Sequence, residues 1–491
     1  MRHTLTAAKR HTVKLLAAAI FALSLVFCAS ASAALHVQWM KGASAPGTPA
    51  RFDKVGVLKV GPAHAKNVLV LEPGTSAGSA YFVPLARWIV SRDKGWQVWS
   101  IERRENLLED QSVLNLAKQG KASAADVFDY YLGYLTNPSI KHHIVPVPNS
   151  SVEFAKQWGM SVAVGDLHRV IAAAHKLGGK VVLGGHSLGG DVVTAYATWD
   201  FGGHPGADEL AGLIYIDGGS FGGESAATAQ AALTALDAPT ASPWLNFGGI
   251  PAPDAGIFSS TGSLAALEFP NMRSLGQASG LLTPFHLTPP VPVTNLAQYG
   301  YALNVPTSPP SLIAAQAHLG TGIDTTGSAP FGWNGAGALT PIKRFAQMFS
   351  GAGIKSTDGT EWYFPQRLTT DTAGVNNGLP SPSQQVLGLK TTMGRRLPHS
   401  LLMYAFGARL SGPGDLLLDA TRALAKQSQI PARNLTLVNR PDYAHNDPAG
   451  AFPNNDFFSH LVPFLAKVSK VGAHRAHRRK AAHRAKPVFT G

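Results

Sequence analysis

Three serines of this 491-residue chain stand at the centre of a Gly-x-Ser-x-Gly pentapeptide: Ser76, Ser187 and Ser220. A serine on a sharp turn between a strand and a helix can serve as the nucleophile of acyl transfer, because its hydroxyl then projects from the sheet edge. Ser187 meets this requirement on both sides. It follows the apolar run 180–184 and precedes the helical pattern of 191–199.

The other two pentapeptides are poorer candidates. Ser76 also follows an apolar run, but only two predicted strands precede that run, and the Ser187 pentapeptide would then be left unexplained. Ser220 lies three residues past the end of its predicted strand, which is too far for a nucleophile turn. We therefore predict Ser187 as the nucleophile.

A serine hydroxyl needs a base near neutral pH. His445 is favoured, because it lies between the last predicted strand, 434–438, and the last predicted helix, 455–468. The remaining histidines of the body that were weighed lie beside Ser187 or between the core strands, and we interpret them as structural or surface residues: His186, His204, His286, His318 and His399.

Apolar runs bounded by turn residues alternate with helical patterns along much of the chain. Strands are predicted at 35–40, 55–60, 67–71, 96–101, 180–184, 213–216, 400–406 and 434–438. Helices are predicted at 81–91, 124–135, 162–177, 191–199, 415–429 and 455–468. This alternation predicts an α/β protein with a mostly parallel central sheet flanked by helices.

The rhythm breaks between residues 218 and 398, a stretch rich in Pro, Gly, Ala, Ser and Thr with scattered aromatic residues. So long a loop without secondary structure is uncommon in a compact domain. We predict a separate lobe there, mainly helical or irregular, with short helices at 311–319 and 339–349.

The order of these features resembles the α/β-hydrolase fold: strand, Gly-His-Ser-Leu-Gly turn, helix, strand ending in Asp217, insertion, strand, helix, strand and His445. The resemblance covers about residues 35–219 and 399–470. It implies a hydrolase core in two parts, 34–217 and 399–470, with residues 218–398 as a lid or cap over the active site.

The resemblance also implies an acid that orients the histidine. The family most often places it after the strand before the last, where this chain has Leu410 at the expected position and Asp415 further on. A minority of relatives place it one strand earlier, where Asp217 stands. We favour Asp217 and keep Asp415 as the alternative, since Asp415 is also typical of a helix start.

Two backbone N–H groups are expected to form the oxyanion hole. One is that of Leu188, at the start of the helix that follows Ser187, where unpaired donors and the helix dipole suit a developing negative charge. The other is that of Thr75, because residues 73–76 resemble the loop that supplies the second donor in the family. Pro73 stands where many relatives have His.

The two ends of the chain differ from its body. Residues 1–33 are predicted to be a signal peptide, with a basic start, a 12-residue apolar stretch and a cleavage site after Ala33. An uncleaved anchor and lipid attachment at Cys28 are the alternatives. Residues 471–491 form a basic tail of low complexity, typical of disorder, which leaves open a contact with an anionic cell envelope.

The net charge of +13 falls to +3 once the four charges of the signal and the six of the tail are set aside, so the body gives no sign of specific nucleic-acid binding. Cys28 is the only cysteine, which excludes disulfides and cysteine metal sites after cleavage. No clustered metal ligands are seen in the body, and the chemistry requires no cofactor.

These features favour a secreted or envelope-associated serine hydrolase that cleaves carboxylic esters, similar to a lipase or esterase, with a small-molecule or lipid ester as substrate. An acyltransferase or a peptidase on the same scaffold is the alternative among enzymes. A hydrolase-like binding protein without activity is the alternative outside enzymes. The oligomeric state stays open.

Overall fold

Eight strands form one sheet in the part of the chain that this computed structural model describes, residues 35–220, 222–412, 414 and 416–470. In chain order they are Val37–Lys41 (β1), Lys54–Val60 (β2), Asn67–Glu72 (β3), Trp96–Glu102 (β4), Val181–His186 (β5), Gly212–Ile216 (β6), Leu402–Gly407 (β7) and Leu435–Asn439 (β8). Their order across the sheet is β1-β2-β4-β3-β5-β6-β7-β8.

The sheet is parallel from β4 to β8, whereas β2 runs antiparallel to both β1 and β4. Every residue of β4, β5, β6 and β7 is buried, as expected for strands covered by helices on both faces. The prediction of a mostly parallel sheet flanked by helices is confirmed. Because the strands are parallel, β3, β5, β6 and β7 present their carboxyl ends at one edge, where side chains can meet.

The α-helices of the described residues are Val83–Arg92, Ser112–Lys118, Ala124–Tyr131, Met160–His175, Leu188–Thr198, Ala226–Asp237, Ala252–Glu268, Leu275–Ala278, Asn295–Leu303, Ile342–Ser350, Gln366–Thr372, Pro382–Val386, Leu416–Gln427, Asp447–Gly450 and Asp456–Lys470. Met160–His175 shows why such segments fold. Its apolar residues recur at helical spacing, and Val164, Leu167 and Ile171 are buried in the hydrophobic core.

The insertion between β6 and β7 contains seven of these α-helices, joined by irregular segments and two small two-stranded sheets. Its longest helix, Ala252–Glu268, was not predicted, because the segment carries Pro, Gly, Ser and Thr. A Cβ on Gly256 would lie 2.7 Å from Trp362 Cα, so the helix owes its place to close packing against residue 362. Trp362 and Leu264 belong to the same hydrophobic cluster as the sheet residues.

One predicted helix of the insertion differs from the structure. The segment predicted as a helix over 311–319 forms a 3-10 helix, Pro310–Ala315, and then becomes extended. Residue 317 exchanges backbone hydrogen bonds with residues 303 and 305. Pairing with this neighbouring segment therefore ends the helix early.

The described residues from His36 onwards form one compact unit. The predicted boundaries of the insertion, 218 and 398, stay predictions. The signal peptide of residues 1–33, the tail of residues 471–491 and the alternative acid Asp415 lie outside the described residues. In the stretches that are described, no helix combines the length and apolarity needed to cross a bilayer.

Candidate active site

Ser187 occupies the turn between β5 and the helix Leu188–Thr198, with φ 56° and ψ −130°. A positive φ is strained for any residue other than glycine and persists only where the surroundings enforce it. Here the Ser187 N–H donates to the Ile216 carbonyl oxygen at 3.0 Å. Gly185 must be glycine, because a Cβ there would collide with the Gly189 carbonyl across the turn. Strand, turn and helix therefore hold Ser187 at the sheet edge, where it stays partly exposed.

The serines of the other two pentapeptides are placed differently. Ser76 also has a positive φ, 49°, but its Oγ is buried and has no partner among the described residues. Ser220 is buried, and its Oγ accepts a hydrogen bond from the Asn377 N–H at 2.7 Å. Of the three serines, only Ser187 has the geometry of a nucleophile turn.

Asp217 and His445 form a buried pair at the carboxyl ends of β6 and β8. His445 Nδ1 lies 2.7 Å from Asp217 Oδ2, and both side chains are almost entirely buried. Since a carboxylate only accepts, Nδ1 carries the proton, and Nε2 of the neutral ring is left as the acceptor. That is the form in which a histidine can take a proton from a serine.

Asp217 is held in an ionised state by the loop that follows β7. Its carboxylate accepts hydrogen bonds from the N–H groups of Ala408, Leu410 and Ser411 at 2.8, 3.1 and 2.9 Å, and from Ser411 Oγ at 2.6 Å. Burial alone would raise the pKa of Asp217. The hydrogen bond and charge of His445, together with the Ser411 and Ala408 donors, lower this pKa to about 2. The family resemblance most often places the acid in this loop. In this chain the loop instead donates hydrogen bonds to Asp217, which follows the neighbouring strand β6.

Ser187 and His445 lie at the same edge of the sheet. Gly218 lies directly beside Ser187, because a Cβ on Gly218 would collide with the Ser187 carbonyl. Asp217, the residue before Gly218, binds His445. The centroid of the His445 ring also lies 4.3 Å from that of His186, the residue before Ser187, with the two rings tilted by 36°. Ser187 Oγ forms no hydrogen bond within the described residues. The Oγ–Nε2 hydrogen bond of the predicted triad is thus not formed in this structure, and such contacts often tighten only with substrate.

The two predicted oxyanion donors flank Ser187. A Cβ on Gly74 would lie 2.8 Å from Ser187 Cβ and 3.4 Å from its Oγ, so the backbone before Thr75 runs directly beside the nucleophile. Leu188 opens the helix that follows the turn. Neither the Thr75 nor the Leu188 N–H donates to another described residue. Both donors are free to bind an oxygen that develops charge.

Arg103, at the end of β4, fixes the loop that carries Thr75. Its guanidinium donates to the carbonyl oxygens of Pro73, Gly74 and Ala77 and forms a buried ion pair with Glu72 at 2.8 Å. This residue is absent from the sequence-based predictions. The available signal was an arginine within Glu-Arg-Arg-Glu directly after a buried strand, since buried charges need partners.

His186 and Tyr81 support the backbone around His445. His186 Nε2 donates to the His445 carbonyl oxygen at 2.9 Å, and the Tyr81 hydroxyl donates to Asn446 Oδ1 at 2.9 Å. Burial, and the charge of His445, lower the pKa of His186 to about 3, so this ring stays neutral beside the Asp217–His445 pair. The structural role predicted for His186 therefore includes a direct contact with His445.

Buried carboxyl groups lie behind the loop of residues 76–79. Glu102 accepts from the Ser79 N–H at 2.8 Å, and the Glu361 N–H donates to the Ser76 carbonyl at 2.9 Å. Burial raises the pKa of Glu102 to about 7 and raises that of Glu361 as well. No group of three or more His, Cys, Asp or Glu that could hold a metal ion is found where the chain is described.

The strand order and the strand-to-helix turn at Ser187 define the α/β-hydrolase fold. No protein-family model matches the chain, and no curated protein matches it.

Solved structures with a similar chain path include the monoglyceride lipase of Saccharomyces cerevisiae (12% identity, 90% of this chain and 98% of that chain, TM-score 0.37). A thermophilic esterase from Thermogutta terrifontis matches at 13% identity, over 88% and 99% of the two chains, with a TM-score of 0.36. The thioesterase domain of the curacin biosynthetic pathway matches at 11% identity, over 88% and 99%, with a TM-score of 0.38. Similarities this low carry no argument about activity.

Proposed function

We propose that this protein is a serine hydrolase that cleaves carboxylic esters. The observation that carries the proposal is the Asp217–His445 pair, held 2.7 Å apart at the same sheet edge as the strained turn of Ser187. An Asp–His pair at the sheet edge that also carries a serine on a strand-to-helix turn supplies the three groups that acyl transfer needs. The fold itself hosts many functions, so the site and not the fold supports the proposal.

In the first half-reaction, Ser187 Oγ attacks the ester carbonyl carbon while His445 Nε2 takes the hydroxyl proton. The carbonyl oxygen becomes an oxyanion, which the Leu188 and Thr75 N–H groups stabilise. As the tetrahedral intermediate collapses, the bond to the alkoxy oxygen breaks and His445 returns the proton to the leaving alcohol. An acyl group then remains on Ser187.

In the second half-reaction, water takes the place of the alcohol. His445 removes a proton from the water, the resulting hydroxide adds to the acyl carbon, and the proton goes back to Ser187 Oγ as the carboxylic acid leaves. Asp217 stays ionised throughout and stabilises the imidazolium form of His445. An alcohol or amine in place of water would give the acyltransferase alternative, and an amide substrate would give the peptidase alternative.

The proposal is tested with purified protein that lacks residues 1–33. We expect hydrolysis of short p-nitrophenyl esters and covalent labelling by a fluorophosphonate at Ser187, found by peptide mass spectrometry. Ser187→Ala should abolish both, while Ser220→Ala should keep both because Ser220 Oγ serves the Asn377 N–H. Absence of labelling in the unmodified protein would favour the alternative of a binding protein without activity.

We further propose that the protein is exported and that its signal is cleaved after Ala33. The basic start and short apolar stretch of residues 1–33 support this proposal. The amino-terminal sequence of the protein recovered from the producing cells should begin at Ala34. A chain that still begins at residue 1 and sediments with membranes would favour the anchor. Release of the body from an anionic surface by salt would support a contact through the basic tail.

A further inference from the structure

Asp447 lies two residues after His445 and joins the insertion to the loop of His445. Its side chain is fully buried, and its carboxylate accepts four hydrogen bonds. The Ala444 N–H, from the residue before His445, donates at 2.8 Å. The other three donors belong to the insertion: Thr340 Oγ1 at 2.7 Å, His318 N at 3.1 Å and His318 Nδ1 at 2.6 Å.

Asn446 makes a second set of contacts between the same two segments. Its Nδ2 donates to the carbonyl oxygens of Ala314 and Gln316, each at 3.1 Å, and its own N–H donates to the Gln316 carbonyl at 3.3 Å. Asn446 and Asp447 are therefore both bonded to residues 314–318 or to residue 340, and Ala444 is linked to the insertion only through Asp447. Most of the hydrogen bonds that link the side chains of residues 444–447 to other segments are made with the insertion.

Of Asp447 and the three residues that donate to it, His318 alone is partly exposed, with 34% of its side chain accessible, while the Asp447 side chain is inaccessible. The carboxylate can only accept, so His318 Nδ1 carries a proton in this contact. Removing that donor leaves a buried oxygen of Asp447 with fewer partners, and such a loss favours rearrangement of the loop. A shift of about 1 Å in a catalytic group can cost on the order of 10²-fold in rate.

We infer that His318 and Asp447 are positioning residues for His445, so that the insertion forms part of the catalytic machinery and is more than a cover. This inference rests on the proposed hydrolase function and deepens it. His318 acts through Asp447 and Ala444 and touches no reacting atom. The segment 314–318 therefore has to stay in place during the reaction, and any opening of the insertion has to occur elsewhere in residues 218–398.

The test compares His318→Ala with His318→Asn, because the Asn side-chain amide can still donate to Asp447. We expect His318→Ala to lower kcat on p-nitrophenyl esters about 10-fold to 100-fold, with KM changed by less than about 3-fold, since the displaced group acts in the chemical step. His318→Asn should recover most of kcat. Fluorophosphonate labelling of Ser187 should slow and recover in parallel.

The matched control is His204→Ala. His204 also pairs with an aspartate, Asp208 at 3.5 Å, but 78% of its side chain is accessible and it lies outside the loop of His445. It should leave kcat and KM unchanged. An active protein whose kcat is unchanged in His318→Ala, or is not recovered in His318→Asn, overturns the inference. An unmodified protein without esterase activity or labelling overturns the proposed function instead. Thermal melting of each variant shows that the compared proteins are folded.

Discussion

His445 donates a hydrogen bond of 2.7 Å from Nδ1 to Asp217 Oδ2, although the two residues are 228 positions apart in the chain. Asp217→Asn should keep the shape of this contact but replace an oxygen acceptor by an amide, which favours the wrong tautomer of His445. We expect kcat to fall on the order of 10³-fold to 10⁴-fold. Ester hydrolysis by the purified variant measures it.

Asp415→Asn is the matched comparison, because Asp415 is the alternative acid from the sequence. It should keep kcat close to that of the unmodified protein. If Asp415→Asn were inactive and Asp217→Asn active, the assignment of the acid would be reversed. If both were active, the pair of Asp217 and His445 would be structural only.

Gly74 lies beside Ser187 in the loop of residues 73–77, which carries the predicted oxyanion donor Thr75 and is called the oxyanion loop. A methyl group at Gly74 would lie 2.8 Å from Ser187 Cβ, too close for two carbon atoms, so either the loop or Ser187 has to shift. We expect Gly74→Ala to lower kcat on the order of 10²-fold by displacing the Thr75 donor. Gly335→Ala is the control, since nothing lies within 4 Å of its Cβ. Equal kcat in the two variants would remove the Thr75 N–H from the oxyanion hole.

His186 offers a test of how firmly the His445 backbone must be held. His186→Phe keeps a ring beside the rings of Tyr81 and His445 but loses the Nε2 donor to the His445 carbonyl. The unpaired carbonyl should cost about 1–3 kcal/mol of folding free energy, measured by chemical denaturation. We expect kcat to fall about 10-fold as well, because His445 is free to move. A variant with full stability and full activity would contradict the contact.

Much of this site follows from the sequence, because its parts sit at the ends of strands. Ser187 and Asp217 each follow a buried strand, and His445 lies in the loop after the half-buried strand β8; parallel strands bring their carboxyl ends to one edge. The order of the runs along the chain was therefore enough to place these residues near one another. Their roles in catalysis stay predictions until the variants above are measured.

The contacts that hold the site could not be predicted in the same way. Arg103 binds the carbonyls of residues 73, 74 and 77, and Asp447 binds His318 and Thr340 of the insertion. These contacts join segments that are far apart in sequence and have no periodic pattern. Polar residues in irregular segments reveal their partners only once the chain is folded, because burial then requires every donor and acceptor to be matched.

The buried acid Glu102 makes the stability of the protein depend on pH. Burial raises its pKa to about 7 in the folded protein, whereas an unfolded glutamate has a pKa near about 4.3. A group whose pKa is raised by folding stabilises the folded protein fully at pH values below its unfolded pKa. This stabilisation is lost as the pH rises through the folded pKa. Between those values unfolding releases one proton from this group, so it lowers the free energy of unfolding by up to about 1.4 kcal/mol per pH unit.

Urea denaturation from pH 4.5 to pH 7.5 measures this slope. Glu102→Gln should flatten it relative to the unmodified protein, because the amide does not titrate. Glu153→Gln is the control, since about half of the Glu153 side chain is accessible and its partner, Lys156, lies three residues further along the same turn. If the slope in Glu102→Gln matched the slope in the control, Glu102 would not be the group that takes up the proton.

Variants of Arg103 and Glu72 distinguish effects on stability from effects on activity, because the Arg103 guanidinium makes two kinds of contact. It forms an ion pair with Glu72. Burial raises the pKa of Glu72, and the charge of Arg103 offsets part of this rise. Arg103 also donates hydrogen bonds to three carbonyl oxygens of the oxyanion loop. Arg103→Met removes both functions and leaves a carboxyl buried without its partner, at a cost of about 3–5 kcal/mol of folding free energy. Glu72→Gln removes only the charge of the pair and leaves the loop contacts in place.

We therefore expect kcat to fall on the order of 10²-fold in Arg103→Met and to stay within a few-fold in Glu72→Gln, with a smaller loss of stability. Denaturation curves and ester hydrolysis on the same preparations give both quantities. If the loss of kcat were proportional to the loss of stability in both variants, the hydrogen bonds from Arg103 to the Gly74 and Ala77 carbonyls would have no separate effect on catalysis. If kcat falls only in Arg103→Met, the Arg103 guanidinium positions the Thr75 N–H. This N–H is the donor predicted to stabilise the substrate carbonyl oxygen as it becomes negatively charged.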